Sequence, residues 1–212
     1  MCGICGQINS SNNSVVERHQ IEKMLFKLTH RGPDGSDYYS TRGIGLAHRR
    51  LSILDISSHA SQPMVDKSTG VVITYNGEIY NYVEIRKRLR HKGHSFRSSG
   101  DTEVLLKAYL EWGHEILQII NGMFAFVIFD PRINEVFCAR DPFGQKPFFY
   151  THNKHRFIFS SELTSLLTHS DVQKDLNLEA ISEYLMYESF VASNTPIKDI
   201  KKLPAGHAIA YK

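Results

Sequence analysis

The sequence is short of the features that mark secreted, membrane-spanning or nucleic-acid-binding chains. Three cysteines in 212 residues are an odd number, without the spacing of a disulfide framework or a metal finger. Cys2 and Cys5 form a C-x-x-C, but a redox or zinc site wants a strand-to-helix context or a second pair, and neither is present. Cys5 therefore reads as a small buried residue, and Cys138, between Phe137 and Ala139, as part of a core strand. No apolar run approaches the roughly 20 residues that cross a bilayer. The first residues lack the charged and apolar regions of a signal peptide, so the cytoplasm is the expected compartment. Charge of one sign is also lacking: 25 basic against 22 acidic residues leave a net +3. The basic clusters Arg86-Lys87-Arg88 and Lys201-Lys202 lie beside acids or on a helical pattern and read as solvated faces. Neither nucleic acid nor a membrane is expected as a partner. Internal repeats and low-complexity stretches are absent.

What is present is ordinary globular material, 42% apolar and 22% charged, long enough for one substantial domain or one domain and the start of another. Gly3 to Ile8 reads as a strand. Ile21, Met24, Leu25 and Leu28 fall at helical spacing and predict an amphipathic helix from about Val15 to Thr29. Arg31-Gly32-Pro33-Asp34-Gly35 stops it with turn chemistry. Ile44 to Ile53 is strand-rich, a loop surrounds Gln62-Pro63-Met64, and Val71 to Tyr75 is a strand ending in Asn76-Gly77-Glu78. Tyr82 to Gly93 predicts a charged helix. Asp101 or Thr102 can cap a second one, whose stripe Val104, Leu105, Ala108, Tyr109, Trp112 faces the core. From Asn121 onward the texture is an antiparallel meander: Gly122–Phe129 (buried on both faces), Glu135–Arg140, Pro147–Thr151 and Arg156–Ser160. Short helices follow around Glu162–Leu167 and Leu178–Tyr187, and Pro196–Lys212 reads as a connector with a short strand pair. Helices beside hairpin-rich sheets, without βαβ alternation, predict an α+β layered domain.

Three places carry chemistry. With Met1 trimmed, Cys2 would present a thiol and a free α-amine on one residue, and that amine, with a pKa of about 7.7–8.0, can take the thiol's proton. The other reading is a frayed terminus with a chance cysteine. Arg49 and Arg50 are adjacent in an apolar strand, so alternation sends one outward and one inward, where its fork of donors suits a carboxylate; alternatively both snorkel to the surface. Asn76-Gly77 is a strong hairpin-turn dipeptide, yet the same side-chain amide and the Gly77 N–H can jointly donate to an oxyanion.

Taken together, several ordered stretches resemble the class II glutamine amidotransferases, most closely the N-terminal glutaminase domain of glutamine-dependent asparagine synthetase. They are Met1-Cys2-Gly3-Ile4 with Gly6, Arg31 to Gly35, His48 to Asp55, Tyr75 to Tyr80, Gly100 to Glu103, Asn121 to Phe126 and Ala139 to Gly144. The resemblance covers nearly the whole chain, and Ile200 to His207 looks like the connector into a synthetase domain. It implies an N-terminal-nucleophile hydrolase fold, a four-layer αββα sandwich of two antiparallel sheets flanked by helices. The glutaminase domain would occupy residues 1–190, and residues 191–212 a connector toward an absent synthetase domain.

The resemblance further implies Cys2 as nucleophile with its own α-amine as base, and Asn76 and Gly77 as the oxyanion hole. Arg50 would grip the substrate α-carboxylate as a buried fork, and Glu78 and Asp101 would hold the amino-acid backbone or amine. Leu51, Ser52, Ile53 and Leu54 would line the pocket. L-glutamine is the implied substrate, and a C-terminal or separate synthetase the ammonia-accepting partner, with aspartate as the acceptor. No cofactor or metal is implied within these residues; ATP and Mg would belong to the synthetase half, whose serine-glycine-rich pyrophosphate loop has no match here. The sequence departs from the pattern at Cys5, where small apolar residues are usual. Two other readings remain: a stand-alone amidotransferase feeding a different acceptor, and a non-catalytic interaction module with the same fold.

Overall fold

Period-2 alternation along the strands divides the apolar residues among three layers. The computed structural model describes residues 1–10 and 14–212. Its first sheet joins β1 (Gly3–Asn9), β2 (Gly35–Thr41), β3 (Ile44–Arg50), β8 (Phe149–His152), β9 (Arg156–Ser160) and β10 (Lys201–Lys202) in the order β10-β8-β9-β1-β3-β2. The second joins β4 (Met64–Val65), β5 (Val72–Ile79), β6 (Gly122–Asp130), β7 (Glu135–Arg140) and β11 (Ala208–Tyr211) in the order β11-β7-β6-β5-β4. All pairings between these strands are antiparallel.

Between the sheets lie Ile4, Ile8, Leu46, Val72, Ala125, Val127, Phe157 and Phe159. Their alternate neighbours Cys5, Ala47 and Ile158 face outward under the helix α1 (Arg18–Lys27) and the short helix α4 (Leu163–Leu166). On the far side Ile73, Tyr75, Phe124, Phe126 and Ile128 pack under α2 (Tyr82–His91) and α3 (Asp101–Trp112). The result is helix, sheet, sheet, helix. Each fully buried phenylalanine contributes about 2–3 kcal/mol of transfer free energy, so the three layers together outweigh any surface ion pair. Cys5 and Cys138 are both fully buried, as their sequence context predicts.

The structure departs from the sequence-based expectations in several places. The first helix starts at Arg18, not Val15, which is exposed. Gly35–Thr41 is a strand that its polar, solvent-facing residues conceal; it closes one edge of the first sheet, and Gly35 opens it instead of ending a turn. Asn76-Gly77 makes no hairpin: β5 runs straight through it to Ile79, paired with Ala125 and Phe124. The expected meander is divided, with β6 and β7 in one sheet and β8 and β9 in the other, because the Asp141–Lys146 segment carries the chain across. The terminal strands do not pair with each other; β10 joins β8 and β11 joins β7, one in each sheet. Arg86 is no solvated charge either. It stacks near Phe96 and donates to the carbonyls of Ser98 (2.8 Å) and Gly100 (2.7 Å).

Two bonds stitch the sheets face to face: Thr74 Oγ1 donates to the Ala47 carbonyl (3.3 Å), and His48 Nε2–H to the Tyr75 carbonyl (3.1 Å). Burial lowers the His48 imidazole to about 3. His169, held between Gln7 Oε1 and the Asp171 N–H, is lowered by burial to about 4. Both rings are neutral in the fold and protonate once the chain unfolds, so below about pH 6.5 the unfolded state binds more protons. Their contribution to stability is therefore level above that pH and falls as pH drops toward the folded values, by up to roughly 1.4 kcal/mol per pH unit per ring. Urea-unfolding midpoints from pH 7.5 to 5 check this; a constant midpoint contradicts it.

Candidate active site

The pairing of β1 with β3 sets Gly3 opposite Arg49, which brings the preceding residue, Cys2, against the end of β3. There the Leu51 N–H donates to Cys2 Sγ (3.4 Å), and the thiol lies 3.6 Å from the Leu51 carbonyl. Arg31 Nε donates to the Cys2 carbonyl (3.0 Å) while its Nη1 pairs with Glu162 (2.9 Å), so the backbone of the nucleophile candidate is anchored. The turn from Arg31 to Asp34 passes directly beneath β3: a Cβ on Gly32 would sit 2.5 Å from the Arg50 nitrogen. Asp34 in that turn accepts the Ser52 N–H (2.7 Å) and so steadies the next loop. Burial pushes the Cys2 thiol above its ordinary value, while the Leu51 hydrogen bond, the chain-terminal ammonium and Arg50 pull it back.

Asn76 and Gly77 approach from the other sheet. Asn76 shares the face of β5 that carries Thr74, toward the first sheet, and is 1% exposed. Its Nδ2 has no hydrogen-bond partner among the described residues. A buried amide without an acceptor costs about 1–3 kcal/mol, so this donor is open to one.

The Gly77 N–H follows from the ladder. Phe124, its neighbour on β6, donates its N–H to Asp141 Oδ2 (3.3 Å) and its carbonyl accepts the Asp141 N–H (2.8 Å), so Gly77–Phe124 is a non-hydrogen-bonded pair. The odd N–H groups of β5 therefore point to its open edge. Tyr75 N–H goes to Gln62 Oε1 (2.7 Å) and Ile79 N–H to Asp101 Oδ2 (2.9 Å). Gly77 N–H, between them, is directed at the cleft. Only glycine fits, since a Cβ would lie 2.3 Å from the Met123 carbonyl.

Asp101 is the first residue of α3, but its side chain caps nothing; Gly100 occupies the N-cap position. The carboxylate is 6% exposed and turns to β5, where it accepts Tyr75 OH (2.7 Å) and Ile79 N–H. Burial raises its pKa against these donors, and Glu78 adds to the rise.

Arg49 and Arg50 are both half-buried, so alternation does not produce the expected single buried fork. Arg49 Nε donates to the Leu25 carbonyl (3.2 Å), and Arg50 donates to the carbonyls of Ser57 (2.9 Å) and Asp55. The fork is held by loop carbonyls, not by a carboxylate.

All ten residues expected at a site line one cleft of about 230 Å³: Cys2, Arg50, Leu51, Ser52, Ile53, Leu54, Asn76, Gly77, Glu78 and Asp101. Met1, Tyr75, Met123 and Lys146 line it too. Lys146 had no sequence signal beyond its place after a turn, and Tyr75 read only as a strand end. A larger hollow of about 410 Å³ is lined by Asp66, Glu103 and Lys107. Its carboxylates Asp66 and Glu103 are engaged by Lys107 (2.5 Å) and the Ser98 N–H (2.7 Å). Among the described residues there is no cluster of three metal-ligating side chains, and no helix is long and apolar enough to cross a membrane.

Solved structures share the fold that brings this cysteine against the second sheet. The glutamine phosphoribosylpyrophosphate amidotransferase of Bacillus subtilis, complexed with ADP and GMP, superposes with a TM-score of 0.65 at 21% identity, covering 79% of this chain and 43% of that one. A structure titled as the allosteric regulatory enzyme of purine biosynthesis gives 0.66 at 20% identity, with the same coverage of 79% and 43%.

A family description of the glutamine amidotransferase domain matches residues 1–212, and the chain belongs to that family. Among curated relatives, glutamine-hydrolyzing asparagine synthetase 3 of Bacillus subtilis (strain 168) is 37% identical over 217 residues, covering 100% of this chain and 35% of the relative. Asparagine synthetase 1 of the same organism is 35% identical over 210 residues, covering 97% and 33%. The chain thus spans about a third of the length of these relatives.

Gly77→Ala is expected to destabilise the fold by about 2 kcal/mol through overpacking against β6. The urea-unfolding midpoint measures this, and an unchanged midpoint would contradict the close approach.

Proposed function

We propose that this chain hydrolyses L-glutamine to glutamate and ammonia through a γ-glutamyl thioester on Cys2. The observation that carries the reading is the buried, partnerless Asn76 Nδ2 next to the edge-directed Gly77 N–H, on a strand segment that lines the same cleft as the thiol. Removal of Met1, which lines the cleft and is half exposed, frees the Cys2 α-amine. That amine takes the thiol proton, offsetting the cost of a buried thiolate. Sulfur attacks the side-chain amide carbon, and negative charge builds on the oxygen between Asn76 and Gly77. The C–N bond breaks as the nitrogen takes the proton back, ammonia leaves, and water hydrolyses the thioester to glutamate. Arg50 receives the α-carboxylate and Asp101, with Glu78, the α-ammonium; Leu51 to Leu54 form the wall between them.

The relatives named asparagine synthetases support an ATP-dependent amide-forming partner for the ammonia, with aspartate as acceptor. Free thiols fit residence in the cytoplasm.

Glutamate release from glutamine, measured after intact mass has established loss of Met1, tests the reading. Cys2→Ala is expected to abolish release without unfolding the chain; retained activity rules out the nucleophile. Arg50→Ala is expected to raise KM about tenfold or more with a smaller change in kcat, the pattern of lost ground-state binding. An unchanged KM rules out the carboxylate role.

A further inference from the structure

Residues 51–57 belong to no helix or strand, and residues 51–55 form one wall of the cleft. Ile53, Leu54 and Ile56 on this loop are exposed, so little apolar burial holds it. Among the described residues, its polar ties beyond Ser52 to other parts of the molecule run through Asp55 and the Ser57 carbonyl. Asp55 Oδ2 accepts the N–H (2.7 Å) and hydroxyl (3.0 Å) of Ser99, while Oδ1 accepts the Ser57 N–H (2.8 Å). The Asp55 carbonyl accepts Arg50 Nη2, and the Ser57 carbonyl accepts Arg50 Nη1 (2.9 Å). A Cβ on Gly100 would just touch Asp55 Cβ at 3.5 Å, so the loop rests on the backbone that leads into Asp101. From the other side Arg86 clamps that backbone through the Ser98 and Gly100 carbonyls. Hydrogen bonds from Ser57 and Ser99 hold the Asp55 carboxyl well below the usual carboxylate range, so the latch stays ionised at neutral pH.

We propose that Asp55 is a positioning residue for substrate capture: its carboxylate ties the loop that orients the Arg50 guanidinium to the segment that presents Asp101. It thereby fixes the spacing between the groups that receive the α-carboxylate and the α-ammonium of an amino-acid substrate. The proposal rests on the assignment of Arg50 and Asp101 to those two ends of glutamine. Asp55 touches no reacting atom, so its loss acts on affinity and leaves the thiol chemistry in place. Asparagine at position 55 keeps the shape but turns an NH₂ toward a donor, so one side of the latch is lost.

The test measures glutamine dissociation constants by calorimetry on the Cys2→Ala chain, which needs no turnover, with Asp55→Asn, Arg50→Ala and the pair added. Asp55→Asn is expected to weaken binding about tenfold, as for loss of a charge-assisted hydrogen bond. The double variant is expected to bind no more weakly than Arg50→Ala alone, because both changes act through one guanidinium. In the chain that retains Cys2, Asp55→Asn is expected to leave the rate of thiol alkylation by iodoacetamide within twofold. Should Asp55→Asn fail to fold, Ser99→Ala removes only the hydroxyl bond and is expected to weaken binding about threefold. The latch is overturned if Arg50→Ala weakens binding and Asp55→Asn or Ser99→Ala does not, or if the two losses simply add. If Arg50→Ala itself leaves binding unchanged, the assignment beneath the latch falls, and the latch with it.

Discussion

The register of β1 on β3 is the constraint on which the site depends. With Gly3 opposite Arg49, the residue before the strand meets the residues after its partner, and Cys2 reaches Leu51. A shift of one residue would exchange the faces of β1, sending Ile4 to the helix side and Cys5 between the sheets. The register is held from both edges, since β9 pairs along the other side of β1. Arg31 then fixes the Cys2 carbonyl, so the terminus is tied at a place where chain ends usually fray. The geometry needs a buried first strand with glycine at its start, where a Cβ would press on Leu28 at 2.9 Å.

The second sheet supplies what the first cannot. Stacked sheets ordinarily meet only through apolar side chains, about 10 Å apart. Here Thr74 and His48 add polar ties between β3 and β5 near the cleft. Those ties fix Asn76, two residues beyond Thr74 on the same face, relative to the thiol. The edge of β5 beyond Ile73 has lost its strand partner, because β4 is only two residues long. Its N–H groups are taken up by the Gln62 and Asp101 side chains, and the one between them is left for the cleft. An exposed sheet edge is a liability in most proteins; in this fold it becomes a wall of the cleft.

Much of this was legible in the sequence, and the illegible parts share a cause. Apolar runs between turn signals in β6, β7 and β9 and the helical stripe of α3 gave the element types, because each is set by burial. The edge strand β2 was hidden because nothing covers its outer residues, so its composition looks like a loop. Asn76-Gly77 misled as a turn because glycine there answers a contact with the Met123 carbonyl, distant in sequence. Turn chemistry at Asp141–Gly144 marked where the chain reverses without saying which sheet it enters. Motif order named the residues that meet in the cleft, whereas Lys146 and the contacts between Tyr75 and Asp101 needed the tertiary structure.

The electrostatics of the cleft follow from a conflict between burial and charge. Burial raises the Cys2 thiol and the Asp101 carboxyl alike, disfavouring the charged form of both. Asp101 answers with two donors, the Tyr75 hydroxyl and the Ile79 N–H; Cys2 has only the Leu51 N–H. A resting thiolate is thus poorly supported, and the negative charge Asp101 would bring opposes it further. The donors left without partners lie elsewhere, at Asn76 and Gly77, and not where the sulfur rests. On the proposed reaction, a site built this way would favour charge that has moved from sulfur to oxygen over charge still waiting on sulfur, and differential support of that kind would accelerate it.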